Sequence, residues 1–232
     1  MKKVILFIIV SLLILPAQAE INFSNDYKMS IDLKGGFSTF SSWEIELGAS
    51  YRPIRYVGAN VALLMTSSMN NNSVLRDTVD IGTNNTLWKV KKLKDPCYQF
   101  AAKAGLQFTT PAVMLAKNEM GLSLRVSPGV LIPITPNNNV NIDYFTRDPE
   151  LKTVKLDHTE QIKNSGAKFC YWYTRAELVI EYEDQWEFSL GYNFSNFDLY
   201  GGARNIKVGD VPIVIGEKKN MHTFTLGLSL KF

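Results

Sequence analysis

Residues 222–232 read HTFTLGLSLKF and hold the clearest structural signal in the 232-residue chain. Apolar and polar side chains alternate through this stretch with a period of two, which is the pattern of a β-strand whose two faces meet different surroundings. The apolar face carries Phe224, Leu226, Leu228, Leu230 and Phe232, and the polar face carries Thr223, Thr225, Gly227, Ser229 and Lys231. The pattern predicts a strand with one apolar and one polar face.

The same alternation recurs in seven earlier segments, so the sequence predicts eight strands. The earlier segments are residues 28–37, 43–51, 57–66, 98–108, 122–132, 171–180 and 186–194. The connections that would lie at one end are 38–42, 67–97, 133–168 and 195–221, and those at the other end are 52–56, 109–121 and 181–185. Three of the first four are long and two of the other three are tight turns. A membrane barrel has this asymmetry between its two ends.

The final strand resembles the C-terminal β-signal of bacterial outer-membrane barrels, in which a terminal aromatic residue follows alternating apolar residues. Phe232, Leu230 and Leu228 match that pattern, and the resemblance implies recognition by the barrel-assembly machinery. The mature chain as a whole is similar to small outer-membrane β-barrels, including the eight-stranded type with a protruding extracellular sheet. The expected fold is therefore all-β, an antiparallel up-and-down transmembrane β-barrel of eight strands.

Three hairpins are predicted inside the long connections, because turn-forming residues lie between pairs of strand-like arms. Residues 73–81 would pair with 86–93, residues 140–145 with 151–157, and residues 205–208 with 211–215. The arms are short and charged, so we expect them to continue the barrel strands into water as a protruding sheet. A barrel of ten or more strands is one alternative, and a soluble sandwich or lipocalin-type barrel is another.

The N-terminus has the features of a secretory signal peptide. Lys2 and Lys3 precede an apolar run, residues 4–15, and Ala17 and Ala19 provide small residues for cleavage before Glu20. We therefore expect residues 1–19 to be a signal peptide, residues 20–232 to form the barrel domain, and Sec export to end in the outer membrane. An uncleaved anchor is the alternative, although the run is short for a membrane span.

Charge and hydropathy exclude some classes of function. Removing residues 1–19 takes away two lysines and leaves 23 basic against 22 acidic residues, so no excess positive charge favours nucleic acid as a partner. No later segment offers about 18 uninterrupted apolar residues, which argues against a helical membrane protein.

Charged residues recur on the polar faces of the predicted strands, which would point into the barrel. An eight-stranded barrel is just wide enough for side chains to fill its interior, and buried charges need partners. We therefore expect a polar plug, with ion conduction as the alternative. The predicted lumen network consists of Lys28, Asp32, Lys34, Glu44, Glu46, Lys103, Arg125, Arg175, Glu177, Glu187 and Lys231.

The residues that could carry chemistry give weak patterns. Some small outer-membrane barrels are lipid A deacylases with a Ser/His pair on the outer wall, and His222 lies at the end of the last strand, but no accompanying serine is evident. His158 lies in a charged loop. No metal or cofactor motif is present, and no catalytic residue is assigned. Cys97 and Cys170 would lie at one end of the barrel, where a disulfide above the rim is feasible in an oxidising compartment.

The resemblance to small outer-membrane barrels implies surface interaction, adhesion or a structural role in the envelope, rather than catalysis. The expected partners are outer-membrane lipid, the assembly machinery and an unidentified partner at the cell surface. A lipid A-modifying enzyme and a narrow, porin-like channel remain alternative functions.

Overall fold

The computed structural model describes residues 28–39, 41–54, 56–69, 86–90, 98–115, 120–134, 139–147, 150, 153–164, 167–183, 185–208, 211–212 and 219–232. The predicted signal peptide and Cys97 lie outside these residues. The strands within them are β1 (Met29–Ser38), β2 (Ser42–Ile54), β3 (Val57–Ser68), β4 (Thr86–Val90), β5 (Tyr98–Thr109), β6 (Val113–Leu115), β7 (Met120–Pro133), β8 (Asn139–Arg147), β9 (Val154–Lys163), β10 (Tyr171–Tyr182), β11 (Trp186–Ser195), β12 (Lys207–Val208), β13 (Val211–Pro212) and β14 (Met221–Lys231).

Eight of these strands close into a barrel. Going round the wall, the order is β1, β2, β3, β5, β7, β10, β11 and β14, and β14 pairs back with β1. Every pairing is antiparallel, as expected for strands that run up and down in turn. These are the eight strands predicted from alternation, so that prediction is confirmed. The short β6 extends the wall by pairing with the start of β7.

The alternation places polar side chains inside the barrel and apolar side chains outside. Lys34 is 3 % exposed and Glu46 is 5 % exposed, whereas the outward residues Leu226, Leu63 and Leu190 are 68 %, 59 % and 57 % exposed. A protein in water does not expose a continuous apolar wall of this size, but the hydrocarbon of a bilayer covers one without cost. The fold is a transmembrane β-barrel.

Aromatic side chains form a belt at each end of this wall. Trp43, Phe37, Phe224 and Tyr192 lie side by side in one row across four strands. Tyr51, Phe108, Trp186 and Phe232 are exposed near the opposite end. Trp43 and Tyr51 are about 27 Å apart along β2 at 3.4 Å per residue. With the usual strand tilt, that length spans most of an apolar band about 25 Å tall.

The two ends of the barrel differ. At the loop end, residues 69–97, 134–170 and 196–220 connect barrel strands; at the turn end, residues 55–56 and 183–185 make tight connections. No helix within the described ranges is long and apolar enough to cross a membrane.

A separate three-stranded sheet, in the order β4-β8-β9, lies in the loop-end connections. The β8–β9 and β12–β13 pairs form where hairpins were predicted. The strand β4 differs from expectation, because its ladder is with β8 of a different connection; its expected partner, residues 73–81, lies outside the described residues. Among the described strands, this sheet has a hydrogen-bonded ladder separate from that of the barrel.

Candidate functional site

The barrel interior is the first candidate site, since the sequence predicts an eleven-residue charge network there. Ten of those residues are buried, with exposures of 8 % or less. Lys28 differs from the prediction, because it precedes β1 at the turn end and its side chain is exposed.

Glu46 is the centre of the network. Its carboxylate accepts hydrogen bonds from Lys103 Nζ at 2.7 Å and from Arg175 Nη1 at 2.9 Å, and Arg175 Nη2 makes a second bond to it. Because these residues lie on β2, β5 and β10, their bonds cross the lumen. Lys34 Nζ on β1 donates to Glu177 Oε1 on β10 at 2.5 Å and adds a second crossing.

A second group of ion pairs surrounds Glu187 nearer the turn end. Glu187 accepts from Arg125 Nη2 at 2.5 Å and from Arg52 Nη2 at 2.8 Å. Lys231 Nζ lies 3.0 Å from Glu181 Oε2 and 3.8 Å from Glu187 Oε1. Sequence reasoning missed Arg52 and Glu181 because it ended their strands early, whereas β2 runs to Ile54 and β10 runs to Tyr182. Continuing the period-two pattern would have placed both residues inside.

The remaining two carboxylates bind hydroxyl groups. Asp32 accepts from Ser50 Oγ at 2.6 Å and from Ser30 Oγ at 3.2 Å, and Glu44 accepts from Thr223 Oγ1 at 2.9 Å. Glu44 and Glu46 therefore have separate partners. This arrangement favours structural roles over a pair of carboxylates that shares acid–base work.

Charges of the two signs are equal in number inside the described part of the barrel. The cations are Lys34, Arg52, Lys103, Arg125, Arg175 and Lys231, and the carboxylates are Asp32, Glu44, Glu46, Glu177, Glu181 and Glu187. Charges taken out of water need compensation, and here each sign compensates the other. The described interior is therefore neutral overall and cross-linked between its strands.

The loop end of the lumen is closed by a different kind of contact, an apolar cluster that we call the cap. Inward residues of the barrel rim meet the inner face of the β4-β8-β9 sheet and the chain after β11. The rim provides Leu64, Ala101, Leu131, Tyr171, Tyr173 and Met221, the sheet provides Trp88, Val140 and Ile142, and the chain after β11 provides Phe197, Leu199, Tyr200, Ile206 and Val208. All are buried, so the sheet packs over the barrel mouth.

Polar contacts hold the chain after β11 in the cap. Arg204 Nη2 donates to Asp198 Oδ1 at 3.1 Å, and the same carboxylate accepts from the backbone N–H of Tyr200 at 3.1 Å. Asn164, at the end of β9, donates from Nδ2 to the Gly202 carbonyl at 2.7 Å and ties the sheet to this segment. A Cβ on Gly201 would lie 2.5 Å from the Tyr171 hydroxyl, so a larger residue there would have to displace the Tyr171 ring.

The cap is the main feature that sequence reasoning missed. The hairpin arms were expected to project into water. The arm β9 is almost wholly exposed, whereas β8 packs Val140 and Ile142 against the barrel mouth. A signal was present, since these residues alternate with Asn139, Asn141 and Asp143 in the period of an amphipathic strand.

The two histidines have aromatic neighbours. On the outer wall, His222 Nδ1 lies 2.5 Å from the Tyr192 hydroxyl, and the His222 ring lies 4.9 Å from that of Phe194. In the sheet, the rings of His158 and Tyr144 stack at 4.6 Å. Among the described residues no group of three or more His, Cys, Asp or Glu side chains could hold a metal ion.

Cys170 and Phe232 lie at opposite ends of the barrel. Cys170 is half-buried, and its Sγ contacts the Tyr171 carbonyl oxygen at 3.7 Å; because Cys97 lies outside the described residues, the disulfide stays a prediction.

The backbone of Phe232 exchanges two hydrogen bonds with Met29 at 2.9 and 3.2 Å. The last strand thus closes the barrel against the first, while the role of Phe232, Leu230 and Leu228 as an assembly signal stays a prediction.

No protein-family model and no curated protein matches the sequence. Among solved structures, the N-terminal β-barrel domain of Pseudomonas aeruginosa OprF aligns at a TM-score of 0.42 and 12 % identity, over 89 % of this chain and 98 % of that one. Ail of Yersinia pestis aligns at 0.37 and 13 %, over 88 % and 97 %. Neisserial surface protein A aligns at 0.37 and 11 %, over 89 % and 97 %. The transmembrane assignment comes from the strand pairing and the apolar wall of this chain.

Proposed function

We propose that the protein is a non-enzymatic barrel of the outer membrane that acts at the cell surface, in adhesion or in envelope structure, through its loop end. The observation that carries this proposal is the double closure of the lumen. A neutral ion-pair network fills the interior, and the cap covers its mouth. A pore or an interior active site would need an open path, so the outer surface of the β4-β8-β9 sheet is the better candidate for function.

That surface is fixed in place and carries mixed chemistry. Thr159 Oγ1 donates to Asp143 Oδ1 at 2.6 Å across the β8–β9 pair. On the same face, β9 exposes the apolar Val154 and Leu156, and Lys155 is exposed on the opposite face. A rigid surface loses little conformational freedom when a partner binds, which favours recognition. In this proposal the loop end faces the outside, after Sec export, signal cleavage and insertion by the assembly machinery.

Adhesion can be tested in a non-adherent bacterial strain that displays the protein. We expect bacteria with the wild-type protein to be retained on cultured epithelial monolayers. Val154→Glu with Leu156→Glu, both on the outer face of β9, should reduce retention at least fivefold. The control Glu183→Gln lies in a turn at the other end and should retain wild-type binding. Full retention by the β9 variant would contradict adhesion through this sheet. If no displayed protein alters retention but deletion of the gene sensitises cells to bile salts, the structural role is supported.

The two alternative functions make different predictions. A conducting lumen would produce unitary currents in planar bilayers, whereas the plugged lumen should give none. A lipid A-modifying enzyme that uses His222 would change lipid A mass spectra, and His222→Ala would abolish the change. We expect identical lipid A in cells with and without the protein, because the described ring nitrogen of His222 is bonded to a phenol rather than to a nucleophilic serine.

A further inference from the structure

The outer wall carries a groove between β14, β1 and β2. Its volume is about 650 Å³, and its sides are formed by Leu33, Phe37, Trp43, Ile45, Phe224 and Leu228. The groove is apolar along its length and lies within the wall that the bilayer covers, so it is continuous with the lipid-facing surface.

Gly35 provides the depth of the groove. It occupies an outward position on β1 between Leu33 and Phe37, and its register partners are Leu226 and Ile45. A side chain is thus missing where all four neighbours have large ones. A Cβ on Gly35 would meet, among the described atoms, the Glu44 carbonyl oxygen at 4.0 Å, so the space outside the backbone is open.

The length and position of the groove match one leaflet. From Leu33 to Phe37 it runs about 13 Å along the strand, and half of a bilayer core about 30 Å thick is about 15 Å. Its upper end is the aromatic row of Phe37, Phe224 and Trp43, which lies toward the loop end. The groove therefore occupies the leaflet nearer the loops.

A polar pair lies at the upper edge of that aromatic row, and Tyr192, level with Phe224, is its member within the row. His222 is the next outward residue after Phe224 on β14, and its ring nitrogen is bonded to Tyr192 on the neighbouring β11. Amphipathic rings of this kind prefer the height of lipid headgroups. The apolar groove and the polar pair thus follow one another as the acyl chain and the headgroup do in a lipid molecule.

We propose that this groove binds one acyl chain of a lipid in the leaflet at the loop end, with the chain lying over Gly35 and the headgroup beside Tyr192 and His222. Lipid elsewhere on the wall would exchange freely, whereas this chain would contact protein on three sides and leave slowly. The site does not depend on what the sheet at the loop end binds.

Native mass spectrometry of the detergent-solubilised full chain tests the proposal, with dipalmitoylphosphatidylglycerol as the probe. We expect the wild-type protein to retain one lipid after detergent exchange, and Gly35→Leu, which fills the groove, to retain at least tenfold less. The matched control is Ala104→Leu, which adds similar bulk to an outward position on β5, a strand outside the groove. It should retain the lipid as the wild type does. Heat-modifiable gel migration shows that each variant is folded.

Measurements on the wild-type chain keep the proposal testable if Gly35→Leu does not fold. Palmitoyl-lysophosphatidylglycerol, with one chain, should be retained, and dihexanoylphosphatidylglycerol, with short chains, should be lost. Equal retention of long and short chains would overturn the acyl-chain site. Equal lipid retention by a folded Gly35→Leu variant and the wild type would also overturn it. So would a dimer of the wild-type protein that Gly35→Leu abolishes, because a second copy of the chain would then occupy the groove.

Discussion

Replacing Glu46 with glutamine tests whether the polar plug stabilises the barrel. Glu46 is 5 % exposed and bonds two cations, Lys103 and Arg175, from two other strands. Glutamine keeps the shape and one acceptor oxygen but removes the charge, so an interior whose described charges sum to zero would gain an uncompensated positive charge.

The expected loss follows from the burial of both partners. Lys103 and Arg175 have side-chain exposures of 1 %, so water cannot replace the missing carboxylate. Breaking a buried ion pair by removing one partner costs about 3–5 kcal/mol. Because Glu46 serves two cations, we expect Glu46→Gln to lower the free energy of unfolding by at least about 3 kcal/mol.

Urea unfolding in detergent micelles, followed by tryptophan fluorescence and gel migration, measures this loss. Glu160→Gln is the control, since that exposed side chain bonds Tyr144 on the sheet and its change should be small. Adding Lys103→Met to Glu46→Gln removes one cation with the anion, and we expect it to recover part of the stability. A loss below about 1 kcal/mol for Glu46→Gln, or a double variant no better than the single one, would refute the argument.

Three further predictions concern the packing of the lumen and the cap. Tyr173→Ala should lower the free energy of unfolding by about 3–5 kcal/mol, because the ring lies close to Gly105 and Gly129. Tyr173→Phe should lower it by less than about 1 kcal/mol, since the bond from Asn60 is long at 3.5 Å. Equal urea midpoints for the two variants would contradict this. Ile142→Ala, which empties a fully buried position in the cap, should speed proteinase K cleavage of the loop-end sheet without changing heat-modifiable migration; loss of both would mean that the cap and barrel unfold together. Partial burial and the bond to Glu160 raise the pKa of Tyr144. The stability linked to this shift is therefore complete at pH values below the ordinary tyrosine pKa and is lost as pH rises through the raised pKa. Glu160→Gln should lower the pKa of Tyr144 in a ¹³C-tyrosine NMR titration, and an unchanged titration would contradict this prediction.

The barrel was predictable from the sequence because a membrane wall enforces a strict rule. Each outward residue meets lipid and each inward residue meets polar groups, so alternation persists along whole strands, as it does from Phe224 to Leu230 on β14. The inward charges followed from the same rule. The prediction of inward charges failed at strand ends. Lys28 was expected inside but lies beyond the wall, whereas Arg52 and Glu181 were left out but lie inside it.

The pairing of the charges and the cap could not be predicted in this way. Glu46 finds its partners 57 and 129 residues away, and alternation gives the face of a residue but not its neighbours across the lumen. Likewise, β4 pairs with β8 from a different connection. A strand of five residues carries too short a pattern to identify its partner, and in the structure Trp88 and Ile142 are buried in the same cluster over the mouth.

The ladder between β4 and β8 also limits how the surface of this protein can evolve. Exposed loops normally tolerate substitution and insertion independently of each other. Here two loops share hydrogen bonds and a buried cluster, so a change in one selects for a matching change in the other. The outer strand β9 shares a ladder with β8, but its side chains are almost all exposed, so most of them are less restrained. If antibodies meet this end of the molecule, escape variants should accumulate on β9 first, while β4 and β8 keep the same epitopes across strains.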